Sequence, residues 1–193
     1  MFRRLRRLAR RAIARSWRLS RLWYRFHGLP LDGAPDEEVW YFAFGSNMHD
    51  DVFRGRRRMR PREWRVARIA GYRLRFNLEG RPRGRSAPAN IEACAGEEVW
   101  GVAYRITRRE LLRLNGTEGI PGGYYRPVWL DAEDTDRRPV HAVAYAARGG
   151  ETDGNPSLRY IALLREGARA HGLPDRWIEK LERIRPADHD GKG

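Results

Sequence analysis

The stretch EVWGVAYRI, residues 98–106, is the clearest strand in the sequence, and it runs directly into TRRE, residues 107–110. Its aromatic and β-branched residues are typical of a strand. A threonine followed three residues later by a glutamate forms a capping box, in which the hydroxyl accepts from the first helical turn and the carboxylate reaches back. The sequence therefore predicts a strand to Ile106, a helix capped by Thr107, and an end to that helix at Asn115-Gly116.

Shorter apolar runs, separated by glycine and proline, flank this strand and helix. Further strands are predicted at residues 39–44, 64–76 with a break at Gly71, 90–95, 126–130 and 140–147. Later helices are predicted at residues 157–171 and 174–184. Because the strands come first and the helices cluster late, this order favours an α+β fold with a mixed or mainly antiparallel sheet over a doubly wound α/β fold.

The composition fits one domain with a sizeable core, since 41% of the 193 residues are hydrophobic. No apolar run approaches the roughly 18 residues that a membrane-spanning helix needs, so none is predicted. The single cysteine, Cys94, cannot form an internal disulfide. Its place in a predicted strand indicates an inert core thiol, and the lack of a cysteine partner predicts a reducing, cytoplasmic location.

The formal charge of +14 is concentrated in residues 1–27, which hold ten arginines and no acid, and the rest of the chain carries only +4. Apolar residues at helical spacing among these arginines predict a basic amphipathic helix. Four interpretations stay open: an anchor on an anionic membrane surface, an organellar transit peptide, a nucleic-acid arm and a solvated tail. Because positive and negative charges nearly balance in the rest of the chain, a nucleic-acid partner is not expected. Residues 28–38 are predicted as a linker, 39–187 as the folded domain and 188–193 as a polar tail.

Two segments are candidates for a functional site. The turn Gly45-Ser46-Asn47 follows a hydrophobic strand, and its successive backbone N–H groups could hold a carboxylate or an oxyanion, although such a triplet is also a common plain turn. Glu118 is an acid in a glycine-rich loop. If apolar walls bury it, its pKa rises and it can take and return a proton, whereas an exposed loop glutamate is the alternative.

Other chemistries find little support in the sequence. The five histidines show no metal-ligand spacing, and Ser46 lacks the surroundings of a nucleophilic serine. Neither a phosphate-binding Walker loop nor a dinucleotide-binding glycine motif is present.

Six motifs in order resemble the gamma-glutamylcyclotransferase family, in the branch whose first turn reads Gly-Ser-Asn. They are YFAFGSNM (41–48), GYRLRF (71–76), EVWGVAY (98–104), EGIxxGxY (118–125), PSxxY (156–160) and HGLP (171–174). The resemblance spans about residues 39–187. It implies a compact, barrel-like α+β fold and a reaction without metal or cofactor that releases 5-oxoproline and a free amine from a small gamma-glutamyl compound, as in glutathione metabolism.

The resemblance also assigns roles to residues. It implies that Glu118 is the catalytic general base and acid. The residues that it implies hold the substrate are Tyr41, Phe42, Ala43, Phe44, Gly45, Ser46, Asn47 and Tyr125.

The sequence departs from the family pattern at three places, which bear on substrate preference rather than on reaction type. Phe44 stands where the family usually has tyrosine, residues 115–117 replace a more acidic segment, and a late tyrosine is missing near Gly149-Gly150. The alternative function is a catalytically silent family member that docks on a membrane or nucleic acid through residues 1–27. Substrate identity and oligomeric state stay open.

Overall fold

A five-stranded barrel forms the centre of the protein in a computed structural model, which describes residues 33–79, 87–118 and 124–187. Its strands are β1 (Glu38–Ala43), β2 (Glu63–Arg75), β3 (Asn90–Thr107), β4 (Arg126–Asp134) and β5 (Pro139–Ala146). They close in the order β1-β3-β2-β4-β5. All neighbours are antiparallel except β1 and β5, which pair in parallel and complete the ring. The prediction of a mixed, barrel-like α+β sheet is confirmed.

Three α-helices flank the barrel within the described residues: α1 (Arg108–Thr117), α2 (Leu158–Ala170) and α3 (Asp175–Glu182). A 3-10 turn at Ser46–Met48 and a π-helical turn at Asp51–Arg56 follow β1. None of the described helices is long and apolar enough to cross a membrane. The predicted amphipathic helix at 1–27, the first part of the linker (28–32) and the tail at 188–193 lie outside the described residues.

The capping box at the start of α1 is present as predicted. The Glu110 amide donates to the Thr107 hydroxyl at 3.2 Å, and the Thr107 amide donates to the Glu110 carboxylate at 3.0 Å. The end of this helix was predicted wrongly, because it continues through Asn115-Gly116 to Thr117. Asn115 does not cap the helix, since its side chain is buried and accepts a hydrogen bond from the Tyr145 hydroxyl instead.

The two strands predicted at 90–95 and 98–106 are one continuous strand, β3. Its pairing with β2 is interrupted between Ala93 and Glu98, opposite Gly71, and Gly71 and Gly96 both take positive φ there. Such a bulge bends a strand without ending it. Cys94 lies in this bulge and is half-buried, so it is not the core thiol that the sequence indicated.

Two glycines let backbones approach each other closely near the end of β1. A Cβ on Gly101 of β3 would lie 2.2 Å from the Ala43 carbonyl oxygen, and a Cβ on Gly167 of α2 would lie within 2.9 Å of the Met48 main chain. No side chain fits at either position. These contacts fix the turn after β1 between the barrel and α2.

We expect Gly101→Ala to lower the free energy of unfolding by about 2 kcal/mol, because the added methyl overpacks a contact that the backbone of β1 cannot relieve. The matched control is Gly55→Ala, where the new Cβ would have no neighbour within 4 Å. This control should be neutral or slightly stabilising. Urea unfolding followed by circular dichroism measures both variants. Equal stability of the two would contradict the proposed close approach.

Candidate active site

A cleft opens at the end of β1, where the ends of α1 and β5 and the start of α2 converge. Apolar, phenolic and amide groups make up most of its wall, and Glu118 is the one carboxylate among the described lining residues. The lining residues are Tyr41, Phe44, Gly45, Ser46, Asn47, Ala89, Glu118, Tyr125, Tyr145 and Tyr160.

Glu118 projects into this cleft from the C-terminal cap of α1. Its amide donates to the Leu114 carbonyl at 3.0 Å, which continues the helical bonding by one more residue. Its side chain is only 14% exposed, and the Arg57 guanidinium lies 3.2 Å from its Oε1 atom. The acid is therefore shielded from bulk solvent and held in a defined orientation.

Asn47 connects the turn after β1 to this acid. Its side-chain amide donates to Glu118 Oε1 at 3.0 Å and to the Tyr41 hydroxyl at 2.8 Å. Only 7% of Asn47 is exposed. The two segments that the sequence singled out, 71 residues apart, are thus joined by a direct hydrogen bond. The sequence predicted backbone donors in this turn and did not anticipate the role of the Asn47 side chain.

The turn itself is a 3-10 turn in which the Gly45 and Ser46 carbonyls accept from the amides of Met48 and His49, at 3.0 and 3.1 Å. Its small residues matter, since a Cβ on Gly45 would lie 3.1 Å from the Tyr160 hydroxyl. The turn therefore presents its backbone to the cleft with little side-chain bulk.

The structure brings most of the predicted site residues to the cleft, with two corrections. Phe42 and Ala43 do not line it: both are fully buried. Phe42 points to the opposite face of β1 from Tyr41, because side chains alternate along a strand. Ala43 is packed against Gly101.

Three tyrosines beside the acid remain neutral phenols at neutral pH. Burial raises the pKa of Tyr41 well above its usual value, and the negative charge of Glu118 raises it further. Burial likewise raises the pKa of Tyr125 and brings that of Tyr160 to about 12. The Ala89 backbone fixes two of these rings, because its carbonyl accepts from Tyr125 at 2.9 Å and its amide donates to Tyr160 at 3.0 Å.

Sequence reasoning missed Arg57, Tyr145 and Tyr160. Tyr160 had a sequence signal, because it is the last residue of the PSxxY motif. In the structure its amide donates to the hydroxyl of Ser157, which caps the start of α2, at 3.2 Å. For Tyr145, the only sequence signal was the alternation of side chains along the predicted strand at 140–147. Arg57 lies in an arginine-rich stretch and had no signal of its own.

The late tyrosine of the family pattern is missing near Gly149, and the structure has no room for a side chain at that position. A Cβ on Gly149 would lie 2.2 Å from the Asn77 side chain, and the Gly150 amide donates to the Asn77 carbonyl at 2.8 Å. Tyr145 and Tyr160 are among the residues that line the cleft. No group of three or more potential metal ligands occurs among the residues that the structure describes.

Comparisons with known proteins agree with the fold and the motifs. The model of the AIG2-like family matches residues 98–181. The chain is 30% identical to the gamma-glutamylcyclotransferase of Bos taurus over 164 residues, which cover 81% of this chain and 84% of the bovine protein. It is 30% identical to the Homo sapiens gamma-glutamylcyclotransferase over 165 residues, 82% of this chain and 85% of that protein. A solved gamma-glutamyl cyclotransferase structure superposes with a TM-score of 0.71 at 28% identity, covering 81% of this chain and 93% of that one.

The raised pKa values of the cleft tyrosines predict alkaline destabilisation. The pKa of Tyr160 in the folded state, about 12, exceeds the value near 10 of an unfolded chain, so its stabilising contribution is complete below pH 10. That contribution is lost as the pH rises from about 10 to 12. Urea unfolding at a series of pH values should show this fall, and it should be shallower in Tyr160→Phe. Identical pH dependence in the two proteins would contradict the assignment.

Proposed function

The chain belongs to the gamma-glutamylcyclotransferase family, and from this membership we propose that it cyclises a gamma-glutamyl dipeptide or amine and releases 5-oxoproline with a free amine. One observation carries the proposal for this cleft. A shielded carboxylate, Glu118, is hydrogen-bonded at 3.0 Å to the turn that the sequence pattern assigns to substrate binding. An acid that can move protons and a turn that can hold the substrate therefore share one small cleft.

The reaction is intramolecular, and this determines what the enzyme has to supply. In a gamma-glutamyl compound the attacking α-amine and the γ-carbonyl belong to the same molecule. Holding the chain in its reactive rotamer can lower the barrier by roughly 7–11 kcal/mol. A narrow cleft lined by the rings of Tyr41, Tyr125 and Tyr145 is suited to hold a folded rather than an extended substrate.

Glu118 serves as base and then as acid in this proposal. Its carboxylate takes a proton from the α-ammonium, and the freed lone pair attacks the γ-carbonyl carbon, so that a carbon–nitrogen bond forms and the carbonyl oxygen becomes an oxyanion. When the carbonyl re-forms, the bond to the leaving nitrogen breaks. The attacking nitrogen loses two protons in all, and the leaving amine gains two, which Glu118 relays.

The turn after β1 supplies the anion-binding groups of the proposal. The backbone amides of Gly45, Ser46 and Asn47 would bind the α-carboxylate of the substrate or the developing oxyanion. The neutral phenols of Tyr41 and Tyr160 support this, since a protonated hydroxyl can donate to an anion where a phenolate would repel it.

We also propose that residues 1–27 attach the enzyme to an anionic membrane surface on the cytoplasmic side. Ten arginines without an acid support this, because each contributes about 1 kcal/mol of attraction near anionic lipid. Nucleic acid is not a proposed partner. The described residues that line the cleft all lie between Tyr41 and Tyr160.

Glu118→Gln should lower 5-oxoproline release by about 100-fold or more, because the amide keeps the shape and cannot accept the proton. The assay follows 5-oxoproline from a panel of gamma-glutamyl amino acids, gamma-glutamyl amines and glutathione. Glu98→Gln is the matched control, since Glu98 is a partly buried carboxylate with two arginine partners outside the cleft. It should turn over like the wild type. Wild-type turnover by Glu118→Gln would refute the mechanism.

Deleting residues 1–27 should leave 5-oxoproline release within about twofold of the full chain and abolish co-sedimentation with vesicles that contain anionic phosphatidylserine. Neutral phosphatidylcholine vesicles are the control, and salt should weaken the binding of the full chain. A full chain that releases no 5-oxoproline but still binds vesicles or DNA would contradict this proposal. That result would favour the catalytically silent docking module over the enzyme.

A further inference from the structure

We infer that Arg57 is a positioning residue that assigns separate tasks to the two oxygens of Glu118. Oε1 is held by the protein, and Oε2 carries the proton to and from the substrate. This inference deepens the proposed function and rests on it. Arg57 itself does not line the cleft, so it acts on the substrate only through Glu118.

The contacts of Glu118 are concentrated on one of its oxygens. Arg57 Nη2 lies 3.2 Å from Oε1, and Asn47 Nδ2 donates to the same atom at 3.0 Å. In the part of the chain that the structure describes, no hydrogen bond or ion pair engages Oε2. A carboxylate held by one oxygen in this way presents the other to a ligand in a fixed direction.

Arg57 also binds the backbone beside the acid. Its Nη1 donates to the Thr117 carbonyl at 3.3 Å, so one guanidinium contacts both the last residue of α1 and the side chain that follows it. The planar fork of arginine can hold these two acceptors together, whereas the single ammonium of lysine cannot do so with the same geometry. The end of α1 and its carboxylate are thereby fixed as one unit.

The π-helical turn at Asp51–Arg56 places Arg57 for this task. The Arg57 amide donates to the Val52 carbonyl five residues back, at 2.8 Å. The turn is anchored by the buried ring of Phe53, which stacks on Tyr104 and Tyr41 with centroids 4.2 and 5.8 Å apart. By contrast Arg54, on the same turn, pairs with exposed Asp50 on the surface. Arg57 is therefore directed inward by packing.

Charge explains why an arginine at this position affects proton transfer. The described groups that share the cleft with Glu118 are mostly neutral. They are Asn47, the neutral phenols of Tyr41 on β1, Tyr125 just before β4 and Tyr160 on α2, and Tyr145 on β5. Arg57 adds a positive charge 3.2 Å from the acid. A charged donor holds a carboxylate oxygen more strongly than a neutral donor does. Arg57 therefore keeps Oε1 in place while Oε2 exchanges the proton with the substrate.

The test compares Arg57→Met, Arg57→Lys and the control Arg54→Met as full-length proteins from pH 5 to 9. Arg57→Met should lower kcat about tenfold across this pH range, with KM within about twofold, because the carboxylate loses its fixed orientation. Arg57→Lys should recover only part of this rate, since one ammonium cannot hold both acceptors with the same geometry. Arg54→Met should match the wild type throughout. A wild-type kcat in a folded Arg57→Met protein would overturn the inference.

A readout without turnover separates this inference from the proposed function. Crystal structures of the variants provide this readout. In Arg57→Met the Glu118 carboxylate should leave its 3.0 Å contact with Asn47 Nδ2, whereas in Arg54→Met it should keep that contact. If no protein releases 5-oxoproline but this difference is seen, the proposed function fails and the coupling of Arg57 to Glu118 stands. An identical orientation of the Glu118 carboxylate in the wild type and both variants would refute the coupling.

Discussion

The hydrogen bond from Asn47 Nδ2 to Glu118 Oε1, 3.0 Å long, is the constraint on which the cleft depends. It joins the end of the first strand to the end of the first α-helix, so the acid and the proposed binding turn cannot move apart independently. Burial of both side chains strengthens the bond, because an unpaired buried carboxylate is costly. Arg57 reinforces it from the side away from the cleft.

The fold brings these groups together through a few close backbone contacts and one cap. The capping box fixes where α1 starts, and ten helical residues later Glu118 follows at the cleft. Gly101 and Gly167 allow the backbone of β1 and its turn to lie against β3 and α2 without intervening side chains. The placement of the acid and of the turn therefore comes from rigid elements rather than from long loops, which is the arrangement that pre-organises a site.

The sequence predicted the features that depend on local patterns and missed those that depend on packing. The capping box, the α+β class and the candidate acid were readable because each has a short-range signature. The end of α1 was not, since Asn115 turns inward to Tyr145 rather than capping the helix. Arg57 points inward because the nearby ring of Phe53 is buried. The sequence around Arg57 is rich in arginine, and nothing in it distinguishes this arginine from its neighbours. The assigned roles of Glu118 and the turn remain predictions, and residues 1–27 lie outside the described structure.

The measurement that tests the account most directly is a crystal structure of the Glu118→Gln variant soaked with a gamma-glutamyl amino acid. We predict an intact substrate folded in the cleft, with its α-amine at a hydrogen-bonding distance of about 3 Å from the side chain at position 118. Its α-carboxylate or γ-carbonyl oxygen should meet the backbone amides of Gly45, Ser46 and Asn47. An extended substrate whose α-amine points away from position 118, or one bound outside this cleft, would contradict the account.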